Sequence, residues 1–583
     1  MGNAAIMMSR FASTISFTIL SMLNQTCIYG ICFYALDPNG PKFFGFAEYL
    51  AAMALLVLAW TIADARYQFR IETAPLPIQR IAFISVTLIG ILTLLTDLWR
   101  AQGWFVPIGG PLTPALWQGL LGLTFLLTFL VWAWFAFIRP PRFGPLNAEK
   151  YISAVYRAIL RGSPDELAVI SDEIAHSSSQ LIKYAPSTNS DWRLPVGVRQ
   201  LPLKKVEAYA NNFLLLIADR RFCRAAVAKS PVIALALFRE IALQKKYDVA
   251  IGTFTRNIVS EALLHTDSFL YHETEGYQVG LLGHHKPLSQ AIFGDYAMLS
   301  GIGTALDADV GESFNWNSDT WGAFLRAARI ALKSYVASGF PSDTTVLTRL
   351  HSRLEFAASD LYQLDGSITL EWRTGPYATL RVLVDYLKDS IEILGKMPVP
   401  THIELRTHKL FGPGFSVYDM VARSIFHVIF CAASVRSPIS TCWIIQHNTV
   451  WTDLFESFAD KSKAGAYVRH KVRRLIYNEI KELERFPNFK GAKYLAFCLN
   501  VMGLMVDRRS IDKEYRPLHR ALIAWTRKNY ELLRAENLEV AEACLVDGMS
   551  YDSENRRLVK TYPAGGLRKE PNYVFLDLLP LTV

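Results

Sequence analysis

Apolar and polar positions divide this chain of 583 residues into two unlike parts. Four long apolar runs, Phe11–Leu36, Phe46–Ala63, Ile81–Leu98 and Ala115–Ile138, crowd into the first 138 residues, and none of comparable length follows. About 20 helical residues cross a hydrocarbon core of ~30 Å, and all four runs fall in that range. Charge follows the same division: six of the 61 Lys and Arg and five of the 52 Asp and Glu lie in this first part. Lipid offers no water to backbone amides, so the runs are expected to be helices. The expected fold is mainly α: a four-helix transmembrane anchor at 11–138, behind a short tail at 1–10, and then a large helical domain.

Basic residues in the short connections set the expected orientation. Arg10, Arg66, Arg70, Arg80, Arg139 and Arg142 would share one side, against Lys42 and Arg100 on the other. Positive-inside bias then places both termini in the cytoplasm of a cell with a bacterial-type inner membrane. Trp99, Trp104 and Trp117 suit the outer interface, and Trp132 and Trp134 the inner one. The first run is too long for a cleaved signal peptide and lacks a small-residue cleavage site. Asp97 and Arg100 read as an interfacial pair.

Within the first run, Thr14, Thr18, Ser21 and Gln25 recur at helical spacing and would form one polar face. A packing seam is favoured, because polar side chains in lipid mostly hold helices together. The sharper alternative is a pore built by oligomers of this face. No run carries a central acid, lysine or histidine, which argues against a proton-coupled transporter.

After a proline-rich hinge at 139–146, the region 147–583 is expected to be cytoplasmic, helical and built of two or more subdomains. Ser163-Pro164-Asp165-Glu166 is a helix start. Further helices are expected over 203–228, 231–245, 250–264, 320–337, 347–361, 376–394, 417–433, 464–485, 492–504 and 518–535. Strand character is confined to 367–372 and to the tail around 558–581. Seven cysteines without a C-x-x-C spacing read as thiols in a reducing compartment.

Two segments carry candidate chemistry. Four of the twelve histidines, His265, His272, His284 and His285, fall within 21 positions beside Asp267 and Glu273, in a Gly-rich stretch that reads as a loop over 265–320. Imidazole and carboxylate could hold a ligand or a transition metal, but the spacing matches no metal motif, and an ordered surface loop is the plainer explanation. The second is Arg469, Lys471, Arg473 and Arg474 at the start of the 464–485 helix, with acids at its end. Both placements oppose the helix dipole at a cost of ~0.3–1 kcal/mol each. That pattern suits an anionic or protein partner, or ion pairs to neighbouring helices.

No phosphate-binding loop, dinucleotide fingerprint or nucleophile elbow is present, so no cofactor is expected. A net charge of +9 over this length gives nucleic-acid binding little support. The sequence points to a membrane protein, oligomeric, whose cytoplasmic domain is a non-enzymatic sensor or platform for a protein partner. The alternatives are a pore-forming or membrane-perturbing effector and a membrane-tethered metal enzyme.

Overall fold

The computed structural model describes residues 25–28, 31–40, 42–61, 64–107, 113–187, 204–273, 287–307, 313, 315–364, 371–409, 412–456, 462–505, 514–564 and 569–580. It is mostly helical, with two small antiparallel sheets. The chain divides into two compact units, one comprising Met1–Tyr184 with Lys204–Ala210, the other Ala185–Leu203 with Asn211–Val583.

In the first unit, strands β1 (Gln25–Ile28), β2 (Ile31–Ala35) and β3 (Phe105–Pro107) form one sheet. Its helices are α1 (Phe46–Thr61), α2 (Ala65–Glu72), α3 (Ile78–Ala101), α4 (Pro114–Ala133), α5 (Ala148–Arg161), α6 (Pro164–Ala175) and α7 (Ser178–Tyr184). A π-helical turn over Trp134–Ile138 prolongs α4. Among the described residues, two helices, Ile78–Ala101 and Pro114–Ile138, are long and apolar enough to cross a membrane, each with a mean hydropathy of 2.2. Only 28 % and 17 % of their most apolar stretches are buried, so Phe83, Ile84, Leu88, Leu126 and Leu130 face outward. Helix α1 is apolar but shorter.

The expected helix over 11–36 is corrected. Gln25–Ile28 and Ile31–Ala35 pair as strands, with Ile28 opposite Ile31, so no single helix reaches Leu36. The β-branched and aromatic content of this stretch, Thr26, Ile28, Ile31, Phe33 and Tyr34, favours a pleated strand. Of the expected polar face, Gln25 lies in strand β1, and Thr14, Thr18 and Ser21 lie outside the described residues. Cys32 is disulfide-bonded, against the expectation of thiols throughout, whereas Cys223, Cys431, Cys442, Cys498 and Cys544 are buried thiols.

Asp97 is not paired with Arg100 as expected. It caps α1, with Phe46 N donating to Oδ2 at 2.9 Å, and Lys42 Nζ lies 3.8 Å from Oδ1. A carboxylate there satisfies an orphan amide and the positive end of the dipole. Tyr49, Val86, Ile89, Leu121 and Phe125 form the core that joins α1, α3 and α4.

The second unit begins within α8 (Lys205–Leu216) and continues with α9 (Arg220–Lys229), α10 (Val232–Gln244) and α11 (Gly252–Leu264). The single helix expected over 203–228 is broken because Asp219 caps a new one, accepting from Arg221 N and Phe222 N at 2.9 and 3.1 Å. Short helices α12 (Phe269–His272), α13 (Leu288–Phe293) and α14 (Tyr296–Ile302) occupy much of the stretch expected to be a loop. Their buried Leu270, Leu288, Ile292, Phe293, Tyr296 and Leu299 explain why. There follow α15 (Ser318–Ala337), α16 (Thr345–Ala357), α17 (Gly375–Gly395) and α18 (Val417–Ala432). Helix α19 (Ile439–Cys442) runs into a π-helix over Trp443–Glu456, and α20 (Lys463–Glu482), α21 (Phe489–Met502), α22 (Arg516–Glu536) and α23 (Leu538–Ala543) complete the set. A sheet of β4 (Met549–Asp552), β5 (Arg557–Tyr562) and β6 (Asn572–Asp577) closes the described chain, as the tail's strand character predicts.

Candidate functional site

The described members of the predicted histidine cluster, His265 and His272, do not form a ligand set with Asp267 and Glu273. Glu273 is a helix cap: Leu288 N and Ser289 N donate to its two carboxylate oxygens at 2.7 and 2.8 Å, fixing the start of α13. His272 Nε2 stands 3.8 Å from Asp267 Oδ1, both side chains exposed, and His265 ends α11. His284 and His285 lie outside the described residues. Among the described residues, no three His, Cys, Asp or Glu come together in a way that could hold a metal ion.

The basic run on α20 is largely turned inward. Lys471 Nζ is buried 2.7 Å from Asp419 Oδ1 and donates to Arg406 O at 2.6 Å. Arg469 Nε lies 3.0 Å from Glu514 Oε2, and Arg473 Nη2 3.4 Å from Glu514 Oε1 with its guanidinium over the Tyr515 ring. Only Arg474 is exposed, 5.9 Å from the Tyr477 ring centroid. Of the two readings the sequence offers, Arg469, Lys471 and Arg473 follow the ion pairs to neighbouring elements. Breaking a buried pair costs ~3–5 kcal/mol, which outweighs a dipole term several-fold and explains the reversed charge order on this helix.

The strongest site is one that neither segment indicated. A cavity of about 490 Å³ opens between α16, α18 and α21, within the 300–1,000 Å³ range of small-molecule sites. Each wall is a helix whose apolar stripe carries a misplaced polar residue. On α16, His351 shares the buried face of Leu347, Leu350 and Leu354; on α18, Ser424 sits among Val421, Ile425 and Val428. The two meet, His351 Nδ1 lying 2.5 Å from Ser424 Oγ. His351 Nε2 is buried with no hydrogen-bond partner among the described residues. Burial pushes this imidazole down to about 4, so it is neutral at physiological pH.

Aromatic rings form the apolar wall. Phe426 and Tyr494 stack at 4.1 Å with an 8° interplanar angle, and the Tyr494 hydroxyl donates to Phe426 O at 2.9 Å. Lys490 Nζ lies 5.5 Å from the Phe426 ring centroid and 2.8 Å from Glu479 Oε2. Arg349 and Arg423 also reach the rim, where each spends one guanidinium bond on a carbonyl, Gly303 O at 2.8 Å and His408 O at 2.7 Å. Arg349, Arg423 and Lys490 line the cavity beside one carboxylate, Glu355; Lys490 is paired with Glu479, Arg349 Nη1 lies 3.9 Å from Asp307 Oδ2, and Arg423 makes no ion pair among the described residues.

This arrangement suits binding rather than acyl transfer. Ser424 and His351 resemble a nucleophile and its base, but no carboxylate among the described residues orients the imidazole. Ser424 also lies inside a helix, whose amides are spent in the backbone ladder and cannot stabilise an oxyanion. No family model matches the chain, and no curated protein or solved structure does.

Proposed function

We propose that this protein is a membrane-anchored sensor, whose second unit binds a small, planar, anionic ligand between α16, α18 and α21. The cavity carries the reading: Arg423 at its rim with no ion pair among the described residues, Arg349 and Lys490 beside it, an aromatic wall, and a neutral buried histidine with an unspent ring nitrogen. Arginine guanidinium offers planar, bidentate recognition of a carboxylate or phosphate, and the Phe426 and Tyr494 rings offer a stacking face.

Anchoring is supported by the outward-facing apolar side chains of α3 and α4, contiguous exposed apolar surface being uncommon on a soluble monomer. The sheet containing disulfide-bonded Cys32 lies at the end of α3 away from Arg80, which favours an oxidising compartment on that side and a cytoplasmic second unit. Ligand occupancy would then be read by a cytoplasmic protein or by neighbouring copies.

A direct test uses 4-(trifluoromethyl)benzoate and its neutral amide as probes of the detergent-solubilised full chain, followed by fluorine NMR. The acid is expected to broaden on binding, and the amide to bind at least tenfold more weakly. Ser352→Trp, at the exposed rim, should abolish the effect. Equal binding of acid and amide, or no effect of Ser352→Trp, would discard this reading.

A further inference from the structure

The structure sorts the arginines beside the apolar helices into two groups. Arg66 and Arg70 are consumed by Asp172 and Glu173. Arg139 and Arg142 are exposed, and neither guanidinium has a hydrogen-bond or ion-pair partner among the described residues. They flank a cavity of about 630 Å³ at the end of the helix Pro114–Ile138, together with Trp134, Ile138 and Leu146. No carboxylate lines this cavity.

We infer that it holds the headgroup of an anionic phospholipid, with the phosphodiester between Arg139 and Arg142. This rests on the membrane reading above. The hinge is a fixed platform rather than a floppy linker. Asn147 Nδ2 donates to Thr73 O and Arg142 O at 2.7 and 3.0 Å, and Gly144 N donates to Asn147 Oδ1 at 2.8 Å. Pro140, Pro141 and Pro145 restrict the backbone between these bonds and supply no amide hydrogen. The unspent donors are thus the two guanidiniums, whose planar forks match a phosphate.

The apolar surroundings select the source of that phosphate. Ile138 and Leu146 are 65 % and 83 % exposed, on the same rim as the cations. A lipid covers both with its glycerol and acyl region, whereas a free phosphate leaves them in water. Trp134 on the same wall suits the interfacial layer. A zwitterionic lipid is disfavoured because its ammonium meets two arginines and no acid.

The test compares dioleoyl phosphatidylglycerol with dioleoyl phosphatidylcholine on the delipidated full chain, by native mass spectrometry from detergent. Wild type is expected to retain the anionic lipid at least tenfold better. Arg139→Gln with Arg142→Gln should bring the two lipids to parity, with the thermal midpoint unchanged because both side chains are exposed. Arg161→Gln, which removes charge elsewhere, should keep the preference. Equal retention by wild type, an undiminished preference in the double variant, or displacement by equimolar glycerol 1-phosphate would overturn the lipid site. Carbonate extraction of the same membranes separates the two claims. Release into the supernatant removes the anchor itself, whereas a firmly embedded chain without lipid preference removes only this site.

Discussion

Arg70 grips Glu173 through two parallel bonds, Nε to Oε2 and Nη2 to Oε1, each 2.7 Å long. Glu173 is buried on α6, and Arg70 Nη1 also donates to Ala136 O at 2.9 Å. One side chain thus ties the short helix α2 to the π-turn that ends α4 and to the first helix pair beyond the hinge. Hydrogen bonding to Glu173 pushes the Arg70 pKa up. Removing one partner leaves a buried charge, which costs ~3–5 kcal/mol. Glu173→Gln is expected to lower the thermal midpoint and expose the 139–146 hinge to protease. Arg66→Gln, at a half-exposed neighbour, should do much less. Equal sensitivity of the two variants in limited proteolysis would count against the clasp.

Gly90 is required by Tyr49. A β-carbon at Gly90 would stand 2.6 Å from the Tyr49 Cζ and hydroxyl oxygen, and that hydroxyl donates to Val86 O at 3.0 Å. Between apolar helices in lipid, close packing replaces the hydrophobic drive that water provides, and small residues permit it. Gly90→Val is expected to cost ~1–3 kcal/mol through overpacking, read as a lower thermal midpoint in detergent. Adding Tyr49→Ala should recover part of the loss, because the clash disappears. A strictly additive double variant would show that the two do not share one contact.

His351 gives the second unit a defined response to acid. Its pKa falls from 6.5 in the unfolded chain to about 4 in the fold, because burial opposes its charged form. Between these values the unfolded state binds more protons, so stability rises with pH. The contribution is fully present above about pH 6.5 and is lost as pH falls toward 4, with a full span on the order of 3 kcal/mol. His351→Asn should flatten this part of the curve of thermal midpoint against pH from 7 to 5. A wild-type midpoint independent of pH over that range would contradict it.

Most helices of the second unit were legible because their apolar residues recur at helical spacing and their ends carry caps. In the first unit likewise, Ser163 and Glu166 form a reciprocal box at the helix start that the sequence predicts. The Trp443–Glu456 π-helix was not legible, since its wider turn moves the period and its stability comes from remote partners. There Gln446 Nε2 donates to Val435 O at 2.9 Å, while Asn500 Nδ2 donates to Gln446 Oε1 at 3.0 Å. The site was missed for a related reason. His351 and Ser424 are 73 positions apart, and only tertiary packing joins them. The available signal was one polar residue on each otherwise apolar helix face. Density of histidines along the chain pointed instead to 265–285, where Glu273 proves to be a cap.

Lys471 and Asp419 allow the reassigned basic run to be tested. Both are buried, with Nζ 2.7 Å from Oδ1; Asp419 Oδ2 also accepts from Ser416 N at 3.2 Å in the box that starts α18, and from Ser416 Oγ at 2.7 Å. Lys471→Met leaves a buried carboxylate without its counter-charge and is expected to cost ~3–5 kcal/mol. Asp419→Asn in that background removes the stranded charge yet keeps an oxygen for Ser416, so the double variant should recover much of the loss. Arg474→Glu, on the exposed face, should shift stability by no more than ~0.5 kcal/mol. The comparison is made by thermal unfolding of the full chain in detergent at neutral pH. If Arg474→Glu were the more damaging change, or the double variant no better than Lys471→Met alone, the run would have to be read as a surface for a partner after all.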